Sequence, residues 1–312
     1  MPPKSTRVTV EGRELTLSNL DKVMYPATGF AKGEVVDYYA RIAPFALPHL
    51  SGRALTLKRY PNGVEGKFFY EKSCPSHRPD WVRTVSVHAR GTGRFGGQSR
   101  GPRDIDFCIA DDLPTLIWLA NLASLELHTS LARAEEFQCP TMVVFDLDPG
   151  EPAAILECAT VGLMLRDLFG RLGLECFAKT SGSKGLQVYV PLNTPTSYER
   201  TTPFAQAVAQ LLEREHRDLV VSQQKKELRK GKVLVDWSQN VDFKTTVSVY
   251  SLRARERPTA STPVSWDEVE AALAASDPDL LVFEAGDVIE RAERMGDLFA
   301  PVAELEQELP QL

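Results

Sequence analysis

Apolar and polar positions along this chain follow two rhythms, and the changes of rhythm mark its elements. Runs rich in β-branched and aromatic residues near 8–17 and at 54–60, 67–71, 143–148, 176–179, 186–190 and 233–235 predict strands. Pro61-Asn62-Gly63 marks a hairpin turn between the second and third of these. Helical spacing predicts helices over 32–46, 113–131, 152–172, 201–216, 266–275 and 286–296. Ser265 with Glu268 forms a capping box for the 266–275 helix, and Ser276-Asp277-Pro278 stops it. Residues 90–103 hold five glycines and four arginines without a period, which predicts a mobile basic loop or a plain hairpin tip. Helices mixed with hairpins predict an α+β fold. No repeat or long linker divides residues 1–312.

The run VVFDLDPG at 143–150 carries the most chemistry. In a strand, Val144, Asp146 and Asp148 share one face, leaving Val143, Phe145 and Leu147 for the buried side. Neighbouring carboxylates repel, and a divalent cation bound through oxygen relieves that repulsion. A second β run, VLVDWSQN at 233–240, delivers Asp236; beside Asp146 and Asp148 it would complete a two-metal carboxylate site. Alone, Asp236 would read as the cap of a strand before a turn. Between these runs lies TSGSKG at 180–185, where small residues free backbone N–H groups and Lys184 adds a positive charge. That suits a triphosphate, although the Walker spacing is absent and a bare hairpin turn has the same look.

In this order, VFDLDPG, TSGSKGL and VLVDWSQN resemble the polymerase domain of bacterial DNA ligase D, of the archaeo-eukaryotic primase superfamily. The likeness continues through LSNLDKVMYP at 17–26, KRYPNG at 58–63, HRPDWV at 77–82, LELH at 125–128 and YSLR at 250–253. It implies a primase-type catalytic core with an RRM-like antiparallel or mixed sheet and a smaller N-terminal subdomain. It also implies template-dependent addition of nucleotides, preferably ribonucleotides, at gaps or broken ends in non-homologous end joining. Asp146, Asp148 and Asp236 would hold two Mn2+ or Mg2+ ions. Ser181, Lys184, His128, Arg253, Arg229, Gln239 and Lys58 would bind the NTP or dNTP. Lys22 and Lys32 would bind the 5′-phosphate of gapped or 3′-protruding DNA, and Phe69 and Tyr70 would stack on template bases. A lone histidine such as His128 would otherwise read as structural. The second motif normally ends in histidine, where this chain has Gln187. The substitution predicts weaker nucleotide binding with the metal carboxylates untouched.

Charge sharpens the picture. The chain carries 36 Lys/Arg and 42 Asp/Glu, a net of −6, which argues against tight non-specific duplex binding. Residues 1–110 hold 17 basic against 10 acidic side chains, net +7, and the remainder 19 against 32, net −13. The expected organisation is a basic DNA-binding part over 1–110, a metal and nucleotide core over 111–262, and an acidic helical segment over 263–312. Five scattered cysteines without C-x-x-C predict reduced thiols, and Cys74 near His77 makes no zinc site. No signal peptide or membrane-length apolar run appears, so the expectation is a bacterial cytoplasmic, nucleoid-associated protein with no membrane contact. Expected partners are DNA, a Ku-like end-binding protein and a DNA ligase. The initiator methionine and acidic tail favour a stand-alone chain over an excised ligase domain. Two alternatives are another DxD-dependent phosphoryl or glycosyl transferase, and a non-catalytic end-bridging module that Gln187 makes conceivable.

Overall fold

The computed structural model describes residues 5–89, 94–95, 98–99 and 103–310. Two six-stranded sheets carry the fold. The first runs in the order Thr246–Val247, Ser124–Thr129, Leu55–Arg59, Arg103–Cys108, Thr84–Ala89, with Phe69–Glu71 paired to Leu55–Arg59. The second runs Val220–Val221, Val233–Asp236, Met142–Pro149, Leu186–Pro191, Phe177–Thr180, Pro263–Val264. Its pairs are antiparallel apart from Val220–Val221 on Val233–Asp236. The first sheet draws strands from both sides of residue 110.

Met142–Pro149 is covered on both faces, which explains its continuous apolar character. Val143, Phe145 and Leu147 pack with residues of the helices Ile155–Arg171 and Tyr198–Glu215. Val144, on the carboxylate side, joins the core shared by the helix Lys32–Leu50 and the first sheet. Each of these buried side chains contributes about 1.5–3 kcal/mol. Together they outweigh the roughly 4 kcal/mol repulsion of two unit charges about 4 Å apart near a protein surface. The strand can therefore carry Asp146 and Asp148 at its open end.

Several sequence expectations are corrected. The 113–131 segment is a helix, Leu113–Asn121, followed by the strand Ser124–Thr129. Asp112 caps the helix, and Ala123 at φ 59° turns the chain away into a strand that buries Leu125 and Leu127. The 8–17 run is a hairpin, Ser5–Val10 with Arg13–Ser18, whose turn places Glu11 and Gly12 both at positive φ. The first helix continues past residue 46 to Leu50 through Pro44 and Pro48, because His49 and Leu50 extend its buried stripe. Cys74 and Cys108 form a disulfide, leaving Cys139, Cys158 and Cys176 as the free thiols. Cys74 N–H also donates to Asp106 O, which brings its loop against the Arg103–Cys108 strand. Scattered spacing could not reveal this pairing across strands.

The capping box holds as expected, with Ser265 N–H on Glu268 at 2.9 Å and Glu268 N–H on Ser265 Oγ at 3.2 Å. The expected 90–103 loop lies largely outside the described residues; within it, Arg94–Phe95 pairs with Gln98–Ser99. Among the described residues no helix is long and apolar enough to cross a membrane.

Candidate metal and nucleotide site

The antiparallel register sets Asp146 directly opposite Asp236, and Gln187 on its other side, with Lys179 opposite Gln187. Side chains facing one another across strands share a face. Lys179, Gln187, Asp146 and Asp236 thus form one line across four strands, and Asp148, two residues on, joins the same face. Burial first, then Asp148 and Asp236, push the Asp146 carboxyl up to about 7, while the Gln187 amide across from it and Lys179 pull it down. Asp148 reaches solvent at the rim, yet surrounding protein desolvates it and Asp236 opposes it, so it too is raised, while Arg229 and Arg253 pull it down.

Asp236 also caps its own turn, as the plain reading of its sequence allowed. Its Oδ1 accepts from Ser238 N–H at 2.9 Å and Ser238 Oγ at 2.7 Å, and its Oδ2 from Gln239 Nε2 at 3.1 Å. A carboxylate offers about four acceptor positions, so one remains. Gln239, expected at the nucleotide, donates through its Nε2 to this aspartate. Among the described residues no group of three or more His, Cys, Asp or Glu side chains is placed to hold a metal ion as it stands. The donor chemistry still fits a hard cation: three carboxylates share one face, Asp146 and Asp148 are raised by their acidic neighbours, and a bound cation relieves that repulsion.

The 180–185 turn closes against this face. Ser181 Oγ accepts the Ser183 and Gly185 N–H groups, both at 3.2 Å, and Gly182 sits at φ 63°. A Cβ on Gly185 would collide with the Leu147 carbonyl, so the turn can abut the Asp146 strand only with glycine there. Lys184 pairs at 3.0 Å with Glu151, and both are exposed. Such a pair is worth about 0.2–1 kcal/mol, so Lys184 is readily drawn to a stronger anion. Arg229 approaches because Gly150 packs directly on its backbone carbonyl, and its Nη2 donates to Gln224 O at 2.8 Å.

A second cluster centres on Glu126, only 2% exposed. Lys58 Nζ stands 3.1 Å, His128 Nε2 3.0 Å and Arg253 Nε 3.6 Å from its oxygens. Burial alone would raise Glu126, but His128, Arg253 and Lys58 overcome it and hold the carboxyl far below its usual range. Burial depresses His128 in spite of Glu126. Arg253 Nη1 reaches on to Ser181 O at 2.5 Å, tying this cluster to the turn. The register places Tyr70 opposite Lys58 and Phe69 opposite Arg59. The two expected stacking aromatics therefore point to opposite faces. Phe68, two residues from Tyr70, shares its face, and the two rings lie 5.9 Å apart, with Lys58 Nζ 4.6 Å from the Phe68 centroid.

On the Phe69 side, Arg59 lies 5.1 Å over that ring. Lys32 is 6% exposed and donates to neutral acceptors, Ser18 O at 2.7 Å and Asn121 Oδ1 at 2.9 Å. Burial, with Lys22 and Arg59 adding repulsion, lowers it to about 8. Lys22 donates to Pro61 O at 2.5 Å and Asn62 Oδ1 at 3.0 Å. The structure thus brings Lys22 and Lys32 together and adds Arg59, which sequence reasoning missed. Glu126 and Lys179 were missed as well. Glu126 had a faint signal, since it stands two residues from His128 in a strand.

Fold and site together define an α+β protein with an acidic sheet face flanked by two clusters of cations. A family model described as "LigD, primase-polymerase domain" matches residues 31–299, and the chain belongs to that family. It is 42% identical over 289 residues to the multifunctional non-homologous end joining protein LigD of Mycolicibacterium smegmatis, covering 92% of this chain and 36% of that protein. With the multifunctional non-homologous end joining DNA repair protein LigD of Mycobacterium tuberculosis it shares 41% over 307 residues, covering 94% and 38%. The chain thus spans little more than a third of these relatives' length. The solved polymerase domain of Mycobacterium tuberculosis ligase D in complex with DNA superposes with a TM-score of 0.83 at 39% identity, covering 94% of this chain and 99% of that one.

Proposed function

We propose that this chain is a template-dependent polymerase domain that adds nucleotides, ribonucleotides by preference, to primer 3′ ends at DNA gaps or breaks carrying a 5′-phosphate. The observation that carries this reading is the pairing of Asp146 with Asp236, with Asp148 on the same face, in a chain of the LigD primase-polymerase family. Asp146, Asp148 and Asp236 would hold Mn2+ or Mg2+. Two such ions, when bound, lower the pKa of an attacking hydroxyl and neutralise charge on the phosphates.

The protein's own side chains do the rest by position. Lys184 and the backbone of the 180–185 turn bind the triphosphate from one side, with His128, Arg253 and Lys58 on the other, where Glu126 holds the three side chains together. Arg229, beside Asp148, steadies the primer end. Lys22, Lys32 and Arg59 receive the 5′-phosphate, and exposed aromatics stack on unpaired bases. On this reading the chain works in non-homologous end joining, alongside Ku-like end-binding and ligase activities, in the cytoplasm.

The test is extension of a labelled primer on 5′-phosphorylated gapped DNA, with ribo- and deoxynucleotides under Mn2+ and Mg2+. Lengthening of the primer supports the reading; shortening would mark a nuclease, and an unchanged primer would leave only a binding role.

A further inference from the structure

Lys179 is 0% exposed although it lies in a strand of the acidic sheet. Its Nζ donates to Gln187 Oε1 at 2.6 Å, Ser261 Oγ at 2.6 Å and Val247 O at 3.1 Å. Three acceptors engage all three N–H bonds of an ammonium, so nothing remains for a ligand. Burial pushes this amine well below its ordinary pKa and Asp146 pulls it back up, while the three oxygens around it favour the charged form.

Gln187 is 2% exposed, too deep to lie along a triphosphate at the cleft surface. Its Oε1 accepts from Lys179 and from the Tyr189 hydroxyl at 3.3 Å, and its Nε2 donates to Thr246 Oγ1 at 3.1 Å. Gln187 also stands directly across from Asp146 in the strand register, and its side chain lowers the Asp146 carboxyl. An amide has one accepting end and one donating end, and an ammonium can face only the former. Lys179 therefore decides that the N–H end is turned toward Asp146.

We infer that Lys179 and Gln187 are positioning residues that aim Asp146 at its cation, and that position 187 serves this carboxylate rather than the phosphates of the nucleotide. The inference rests on the reading of Asp146 as a cation ligand. It replaces the expectation that Gln187 weakens nucleotide binding. Residues that orient a metal ligand through hydrogen bonds affect metal affinity and turnover together.

The test compares the unaltered chain with Lys179→Met, Gln187→Leu and Gln187→His. Mn2+ binding to the protein alone is followed by electron paramagnetic resonance, and primer extension is followed with nucleotide varied. Lys179→Met and Gln187→Leu are expected to weaken Mn2+ binding and lower kcat by roughly 10–100-fold, with nucleotide KM within about twofold. Gln187→His keeps a donor toward Asp146 and an acceptor toward Lys179, so it is expected to retain Mn2+ binding. Circular dichroism reports folding, and Gln187→His alone decides the matter if the other two fail to fold: retained binding supports the pair, lost binding overturns it. Undiminished Mn2+ binding in folded Lys179→Met, or a rise in nucleotide KM of about tenfold with kcat intact, also overturns it. Because metal binding is read without DNA, a wild-type chain that extends no primer would defeat the polymerase reading and leave this result standing.

Discussion

Asp146 and Asp236 face each other across neighbouring antiparallel strands, yet only Asp236 is tied down by its own turn, through Ser238 and Gln239. Asp146 is instead held by the sheet itself. Asp146→Asn removes a charge that Asp148 and Asp236 oppose, so without metal the protein should gain stability, by up to roughly 4 kcal/mol. Primer extension should meanwhile fall by more than the roughly 100-fold that losing an orienting partner costs. Urea unfolding in a chelator and single-turnover extension check the two halves.

Glu126 is the shared acceptor beneath Lys58, His128 and Arg253. Glu126→Gln leaves Lys58, His128 and Arg253 without their shared partner, a change that costs about 3–5 kcal/mol when a buried pair is broken. Nucleotide KM should rise even though the pocket becomes more positive, because geometry is lost along with charge. A lower KM with unchanged thermal stability would show that Glu126 does not organise the pocket.

Lys32 gives a pH dependence with a definite sign. Its folded pKa of about 8 lies below the ordinary 10.5, so the folded chain releases this proton first, and stability linked to it rises with pH between those values. Anion binding runs the other way, since the amine loses its charge. The advantage of a 5′-phosphate on gapped DNA, measured by fluorescence anisotropy, should decline above about pH 8 and be absent at every pH in Lys32→Met. An advantage undiminished at about pH 9.5 in the unaltered chain would assign the anion to Lys22 and Arg59.

Phe68 and Tyr70 share a face, and Phe69 does not. Phe68→Ala should therefore weaken binding of a single-stranded template by about 1–3 kcal/mol, the usual worth of one stacked base. Phe68 is 49% exposed, so thermal stability should hardly move. Equal template affinity in the variant would remove Phe68 from the platform.

Gly150 abuts the Arg229 carbonyl, and a methyl group there has no room. Gly150→Ala should cost about 1–3 kcal/mol in urea unfolding, as overpacked interiors do. It should also lower extension by moving Arg229 away from Asp148.

Much of the fold was legible because it obeys short-range rules. The alternation in VVFDLDPG put Asp146 and Asp148 on one face, and the Ser265/Glu268 box opened its helix at the expected residue. The pattern failed at 113–131, where an apolar run satisfied helix and strand alike. There Ala123 in a left-handed conformation, and the pairing of the following strand with Leu55–Arg59, settled the matter.

The sequence by itself determined which side chains stand on which face of each strand, because a period of two needs no knowledge of neighbours. Tertiary structure alone decided which strands lie side by side, and hence that Asp236 meets Asp146 and that Glu126 gathers Lys58, His128 and Arg253. It also brought Cys74 to Cys108 and buried Lys179 against Gln187. Most of those relations join residues tens to more than a hundred positions apart. They depend on strand register, which is fixed only when both faces of a sheet find their cover.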